Sequence, residues 1–323
     1  MDQQFQASPT AIALTPEGPT IPTLGVGTWA WGDSLFWSYG KDYTEADLQT
    51  AFQASLDSGV NFFDTAEVYG LGESERLIGR FLQPVNQPVF IATKYFPLPW
   101  RFSAKAVSEA LSASLDRLQL DCIDLYQVHM PFDFFMGKKD LMNALANEVK
   151  QGRIKTVGVS NYSAQQMQAA HQYLADRGIP LAVNQVQYSL LHRKIERNGI
   201  LDMARQLDVK ILAYSPLAQG LLTGKYSADN DQSPEGARQL NPRFSKPGLT
   251  KIALVLETLK KIADAHHKTP AQVALNWLIC LGGVVPIPGA KNAIQASQNA
   301  GAMGWTMTPE EHEQLSRVTQ PWL

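Results

Sequence analysis

Apolar residues along the chain fall into two alternating patterns. Short, nearly continuous apolar runs with β-branched residues occupy positions 24–28, 60–64, 89–94, 122–129, 154–160, 181–188, 210–216 and 284–288. Such runs predict strands buried on both faces, as in a parallel sheet covered by helices. Between them, apolar positions recur at helical spacing. Thr44 is placed to cap a helix with Leu48, Ala51, Phe52 and Leu56 on one face. Ser103 begins another, with Val107, Ala110, Leu111, Ser114, Leu115 and Leu118 on its inner face. Further helices are predicted at 73–82, 139–151, 163–175, 196–207, 250–267, 270–280, 293–300 and 309–318.

Strand followed by helix, repeated eight times, predicts an α/β fold, a single (β/α)8 TIM barrel. A doubly wound open sheet is the alternative, and it carries a glycine fingerprint opening directly into a helix. Gly25-Val-Gly-Thr-Trp-Ala30 has that spelling. Trp31, Gly32 and Asp33 follow it, however, and the next helical pattern starts only near Thr44. We therefore read a strand ending in a tight, aromatic-lined loop. Residues 12–21 contain Thr-Pro-Glu-Gly and read as a β-hairpin at the barrel floor. A long loop after the seventh strand, 218–248, has no strong period, a length typical of functional lids.

Composition narrows the partners. The eight units use residues 24–300 with no Pro/Gly/Ser linker, so the expectation is one domain over 1–323. Lys+Arg number 28 against 30 Asp+Glu, a balance that argues against a nucleic-acid partner. Cys122 and Cys280 make no disulfide framework and no zinc set. The histidines show no HxH or HExxH spacing, so no metal is expected. The first residues lack the basic and apolar regions of a secretory leader. The apolar stretch 273–290 is broken by Asn276, Gly282, Gly283, Pro286 and Pro288. A cytoplasmic protein without a membrane partner is expected, its oligomeric state left open.

Barrel enzymes place reactive groups where strands end and helices have not begun. The second strand ends in Phe62-Phe-Asp64-Thr-Ala, with Tyr69 in the loop behind it; the third ends in Thr93-Lys94 and the fourth in Val128-His129. Each residue alone has an ordinary explanation: a turn cap, loop packing, a solvated strand end, a satisfied buried histidine. Their joint position at three adjacent strand ends favours chemistry. A tyrosine hydroxyl titrates near about 10, and a neighbouring ammonium lowers that value. An aspartate holds the ammonium charged, and a histidine orients a substrate oxygen. The set suits proton donation to a carbonyl oxygen, and it needs a hydride source.

These residues resemble the aldo-keto reductase superfamily. The resemblance is carried in order by Gly25-Val-Gly-Thr-Trp29, Phe63-Asp-Thr-Ala-Glu-Val-Tyr-Gly70, Ala92-Thr-Lys94 and Asp124-Leu-Tyr-Gln-Val-His129. It continues through Gly158-Val-Ser-Asn161, Asn184-Gln185, Ala213-Tyr-Ser-Pro-Leu217 and Ile287-Pro-Gly-Ala290. Stretches 27–32 and 37–40 are similar to plant and cyanobacterial members, including pyridoxal reductases. The resemblance implies a carbonyl reductase with Tyr69 as general acid, Lys94 as its pKa partner, Asp64 paired with Lys94, and His129 orienting the carbonyl. It implies that Ser160, Asn161 and Gln185 hold the nicotinamide carboxamide and that Tyr214 stacks on its ring. Ser215, Pro216 and Leu217, with Gly220 and Leu222, would follow the pyrophosphate. Gly289, Lys291, Gln295, Gln298 and Asn299 would take the adenosine end, where the Lys291 charge suits a 2′-phosphate and so NADPH over NADH. Two departures stand out: many members carry Arg at the position of Lys291 and Glu at that of Gln298.

In the long loop, Lys225, Arg238, Arg243 and Lys246 are candidate phosphate contacts, with Arg243 or Lys225 expected nearest. Aromatic residues crowd the loops after strands one, three and four. Trp29, Trp31, Phe96, Trp100 and Phe132 are expected to wall a mostly apolar carbonyl pocket, near Trp37, Phe134 and Phe135. Two other readings fit less well. A barrel hydrolase lacks paired acids or a metal set. A cofactor-binding regulatory subunit with low turnover would need a docking segment, and none is evident.

Overall fold

The computed structural model describes residues 10–134, 136–227, 234, 238 and 241–323. Parts of the expected long loop (228–233, 235–237 and 239–240) and Phe135 lie outside the described residues. A short antiparallel hairpin, β1 (Ala11–Ala13) and β2 (Thr20–Pro22), comes first. Eight parallel strands follow: β3 (Val26–Gly27), β4 (Phe62–Asp64), β5 (Phe90–Tyr95), β6 (Ile123–Val128), β7 (Ile154–Ser160), β8 (Leu181–Gln187), β9 (Lys210–Tyr214) and β10 (Val284–Pro286). They pair in sequence order. All eight fall inside the apolar runs of the sequence, apart from Tyr95 at the end of β5.

Helices fill the outer layer: α1 (Glu45–Asp57), α2 (Glu73–Leu82), α3 (Ala104–Leu118), α4 (Lys138–Lys150), α5 (Ala164–Ala175), α6 (Ile200–Gln206), α7 (Lys246–His266), α8 (Pro270–Ile279), α9 (Ala293–Ala300) and α10 (Pro309–Val318). Their starts follow cap chemistry. Thr44, Ser163, Thr269 and Thr308 each form a reciprocal capping box. Two helix starts differ from expectation by more than one residue. Helix α7 starts at Lys246, four residues early, because Ser245 accepts from the Gly248 amide and proline occupies the first turn. Helix α6 starts late, at Ile200, because a short 3-10 turn (Lys194–Glu196) and Gly199 at φ 81° intervene.

The sheet closes through glycine. Gly25 and Gly27 donate to the carbonyls of Pro286 and Pro288, both at 3.0 Å, and Gly27 bridges Gly289. A Cβ on Gly27 would stand 2.7 Å from the Ile287 carbonyl oxygen, and one on Gly25 would stand 2.4 Å from the Phe62 ring. The fingerprint-like glycines therefore let the first strand meet the last. The hairpin plugs the floor: Leu14 and Ile21 pack with Phe62, Ala92, Leu125, Val183, Leu212 and Val285 inside the barrel.

Strand alternation then places the site. Side chains two residues apart share a face of a strand. Two positions beyond the floor residues Phe62, Ala92, Leu125, Val183 and Leu212 stand Asp64, Lys94, Gln127, Gln185 and Tyr214. An apolar layer is thus followed, one step up the barrel, by a polar one. Among the described residues, no helix is long and apolar enough to cross a membrane.

Candidate active site

Lys94 and Asp64 form the centre of the polar layer. The Lys94 ammonium, fully buried, donates to Asp64 Oδ2 at 2.5 Å and to the Thr65 carbonyl at 2.7 Å. It also lies 3.4 Å from the Tyr69 hydroxyl. The other Asp64 oxygen accepts from the amides of Gln127 and Gln185, each at 2.8 Å, and Gln185 donates to Gln127 Oε1 at 3.1 Å. Both oxygens of the buried carboxylate are thereby hydrogen-bonded, the condition under which an interior ion pair is tolerated. Tyr69 sits on a tight 3-10 turn (Tyr69–Gly72) directly before α2, which aims its ring back over the strand ends.

Electrostatics assign the protonation states. Burial pulls the Lys94 ammonium down, but Asp64 and Tyr69 outweigh it, so its pKa is raised and it stays charged. Burial raises the Tyr69 hydroxyl, and the opposing pull of Lys94 is smaller, so the net direction is upward. This corrects the expectation that the lysine would bring the phenol below its ordinary value: Lys94 limits the rise. Burial, helped by Lys94, pushes His129 down to about 3. Its ring lies edge-on to Tyr69 at 5.7 Å and to Phe96 at 5.4 Å, with Nδ1 buried and unpartnered. A neutral imidazole is therefore expected at working pH. Its NMR signals should hold one chemical shift from pH 8 down to 5; a midpoint near the unperturbed value of about 6.5 would contradict this.

The strand ends on the opposite side carry an amide-rich wall. Asn161, at φ 62°, donates through Nδ2 to the His129 carbonyl at 3.3 Å, and its Oδ1 accepts from the Tyr214 hydroxyl at 3.1 Å. The Ser160 hydroxyl donates to the Gln185 carbonyl at 2.9 Å. Gln185 itself is turned to Asp64, so its amide belongs to the ion-pair network. After β9 the chain makes a run of left-handed residues at Ser215, Ala218, Gln219 and Gly220. Pro216 is buried, Leu217 is half-buried, and Leu222 points into the core while its amide donates to the Leu217 carbonyl at 3.3 Å.

At the last strand the expected adenosine residues form their own small network. Gln295 accepts from the Lys291 amide at 2.9 Å, and Asn299 donates to the Gly289 carbonyl at 3.2 Å. The Gln298 side chain is exposed. Lys291 is held against Trp37 and Tyr43. Of the loop cations, Arg238 reaches the Gln219 carbonyl at 3.4 Å and the Trp37 ring at 5.7 Å. Lys225 lies 5.5 Å from the Tyr226 ring centre.

The rim aromatics divide. Phe96 and Phe132 pack edge to face at 6.2 Å and lead outward from His129. Trp29 is 39% exposed and stacks on Phe36, and Trp100 is 68% exposed. Trp31 is not a pocket wall. It is sealed in the core at 0% exposure against Phe63 and Phe81, and its indole N–H donates to the Ala290 carbonyl at 2.9 Å. A buried indole needs such a partner, and the closing seam supplies it.

Three residues escaped the sequence reading. Gln127 holds Asp64, and its inward position two residues before His129 was the available signal. Glu67 accepts from the Phe96 amide at 2.6 Å and grips Arg101 with both oxygens, which fixes the loop carrying Phe96. Nothing in the spacing of Glu67 and Arg101 announced that pair. Among the described residues, no cluster of three or more His, Cys, Asp and Glu is arranged for a metal ion.

Comparisons with known proteins agree with this architecture. The sequence profile of the Aldo/keto reductase family matches residues 23–320. Pyridoxal reductase, chloroplastic, from Arabidopsis thaliana is 40% identical, covering 92% of this chain and 83% of its own length. The glycerol dehydrogenase AKR11B4 from Gluconobacter oxydans superposes with a TM-score of 0.85 at 28% identity, over 97% of this chain and 96% of that one. An aldo-keto reductase from Klebsiella pneumoniae, solved in complex with NADPH, superposes with a TM-score of 0.75 at 28% identity, over 96% and 95%. A closed barrel with a polar layer at its strand ends, matched by profile, sequence and structure, makes this chain an oxidoreductase of the aldo/keto reductase family.

Proposed function

We propose that this chain reduces aldehydes and ketones to alcohols with NADPH, with Tyr69 as the proton donor. The observation that carries the reading is the Tyr69 hydroxyl 3.4 Å from an ammonium that is itself locked 2.5 Å from a buried carboxylate. The amide wall suits a nicotinamide dinucleotide. Tyr214 offers a half-buried ring pinned at its hydroxyl by Asn161, and Lys291 offers a cation beyond it. NADPH, when bound, supplies the hydride.

The chain's own residues do the rest. Tyr69 gives its hydroxyl proton to the carbonyl oxygen as that oxygen gains negative charge. Lys94, charged throughout, stabilises the phenolate left behind. Neutral His129 hydrogen-bonds the same oxygen and holds it near Tyr69. Asp64, through Gln127 and Gln185, keeps the ammonium in place. Phe96 and Phe132 lead outward from His129, and with the exposed Trp29 and Trp100 we assign them to an approach suited to an apolar or aromatic carbonyl.

Steady-state oxidation of NADPH with a panel of aldehydes and ketones, pyridoxal among them, tests the reading. Turnover of at least one aromatic aldehyde is expected. Tight NADPH binding with no turnover across the panel overturns it. Lys291 is expected to make NADPH bind at least about tenfold tighter than NADH, as one charge-assisted phosphate contact allows. Titration with both cofactors checks this, and equal affinities remove the 2′-phosphate role from Lys291.

A further inference from the structure

A catalytic imidazole is ordinarily aimed by a hydrogen bond at the ring nitrogen its substrate does not use. The buried Nδ1 of His129 has no such partner among the described residues. Two rings make edge-to-face contacts with the imidazole instead: Tyr69, its centre 5.7 Å away at 83°, and Phe96, at 5.4 Å and 73°. Packing against these rings supplies what the hydrogen bond would.

Phe96 is tied down through its backbone. Its amide donates to Glu67 Oε1 at 2.6 Å, and its carbonyl accepts from Arg101 Nη1 at 3.0 Å and from the Leu98 amide at 2.9 Å. The same Arg101 nitrogen donates to Glu67 Oε1, and Nη2 donates to Oε2 at 3.0 Å, so a planar fork meets both carboxylate oxygens. The guanidinium also lies over the Tyr95 ring, 5.2 Å from its centre. The Glu67 side chain is 7% exposed, which shields the pair from screening. Glu67 stands two residues before Tyr69, in the loop after β4, whereas Phe96 and Arg101 belong to the loop between β5 and α3. One ion pair thus joins the loop of the proposed acid to the ring that packs on the histidine.

We propose that Glu67 and Arg101 are positioning residues for His129, acting through Phe96. The proposal rests on the reading that His129 orients the carbonyl oxygen. A hydrogen bond to an oxygen gaining charge depends steeply on direction. An imidazole free to tilt therefore slows reduction even with Tyr69, Lys94 and Asp64 in place. The fork fixes the guanidinium plane against Glu67, and with it the nitrogen that holds the Phe96 carbonyl.

Steady-state reduction of one aromatic aldehyde by the full chain, with rates counted per NADPH-binding site, tests this. The proteins are wild type, Arg101→Met, Glu67→Ala, Glu67→Gln, His129→Gln and the Arg101→Met/His129→Gln double variant. Arg101→Met should lower kcat roughly tenfold, with KM within about threefold and NADPH affinity within about twofold of wild type. Glu67→Ala should lose as much, and Glu67→Gln, which keeps an oxygen for the Phe96 amide, should recover most of it. In the His129→Gln background, Arg101→Met should change kcat by less than about twofold. Wild-type kcat in Arg101→Met, or the same tenfold loss with His129 already replaced, overturns the positioning role. His129→Gln at the wild-type kcat removes the orienting role of His129 itself, and the proposal with it. Should Arg101→Met fail to fold, Arg101→Gln repeats the comparison.

Discussion

Tyr69→Phe is expected to lower kcat by at least about a thousandfold while NADPH binding stays within about threefold of wild type. The substitution removes one oxygen and keeps the ring against His129. The oxygen's contact with Lys94, at 3.4 Å, is long for a hydrogen bond, so folding stability should change by less than about 1 kcal/mol. Kinetics carry the expected loss because the proton comes from that oxygen alone. Stopped-flow and steady-state reduction of one aldehyde, with a cofactor titration alongside, separate the two effects. Retained turnover would remove Tyr69 from the donor role. The pH profile follows from the same environment. The hydroxyl is raised above its ordinary value by burial, with Lys94 opposing, so the acid form persists through neutral pH. Reduction by the wild type should fall only above about pH 10.

Asp64→Ala should cost about 3–5 kcal/mol of stability and abolish activity. It leaves a fully buried ammonium without its counter-charge and leaves two glutamine amides without their acceptor. The pH dependence gives a sharper signature. In the wild type the Lys94 pKa is raised, so its contribution is present below the unfolded value and is lost as pH rises through the folded one. Without Asp64, burial dominates and the folded value drops below the unfolded one. The variant should therefore gain stability as pH rises towards about 10, the opposite slope. Denaturant unfolding from pH 7 to 10 checks both proteins. Equal slopes would mean that Lys94 is held by something other than Asp64.

The residues behind these predictions differ in how readily the sequence discloses them. Asp64, Lys94 and His129 stand at the ends of apolar runs, where the end of a barrel strand is a local property. Gln127 was equally available, since it follows Leu125 at strand spacing. Helix starts at Thr44, Ser103, Ser163, Thr269 and Thr308 rest on a side chain bonding an amide three residues away, a local property, and for that reason the caps at Thr44 and Ser103 were legible. Trp31 was misread because its neighbours are less buried than it is: Trp29 is exposed and Trp37 only partly buried. Composition cannot tell which of three nearby indoles meets the Ala290 carbonyl 259 positions away.

What the sequence determines by itself is the alternation of strand and helix, the closing glycines as residues, and the types of group delivered to the rim. These follow from local periodicity and backbone sterics. The tertiary structure decided the balance of forces. Burial outweighs Lys94 at Tyr69 and drives His129 neutral, because desolvation depends on every atom packed around a group. It also decided that the glycine pair seals a barrel instead of cradling a phosphate, and that Lys291 rests on Trp37 and Tyr43. Those contacts exist only once the eighth strand returns to the first, and no window of sequence contains both sides of that seam.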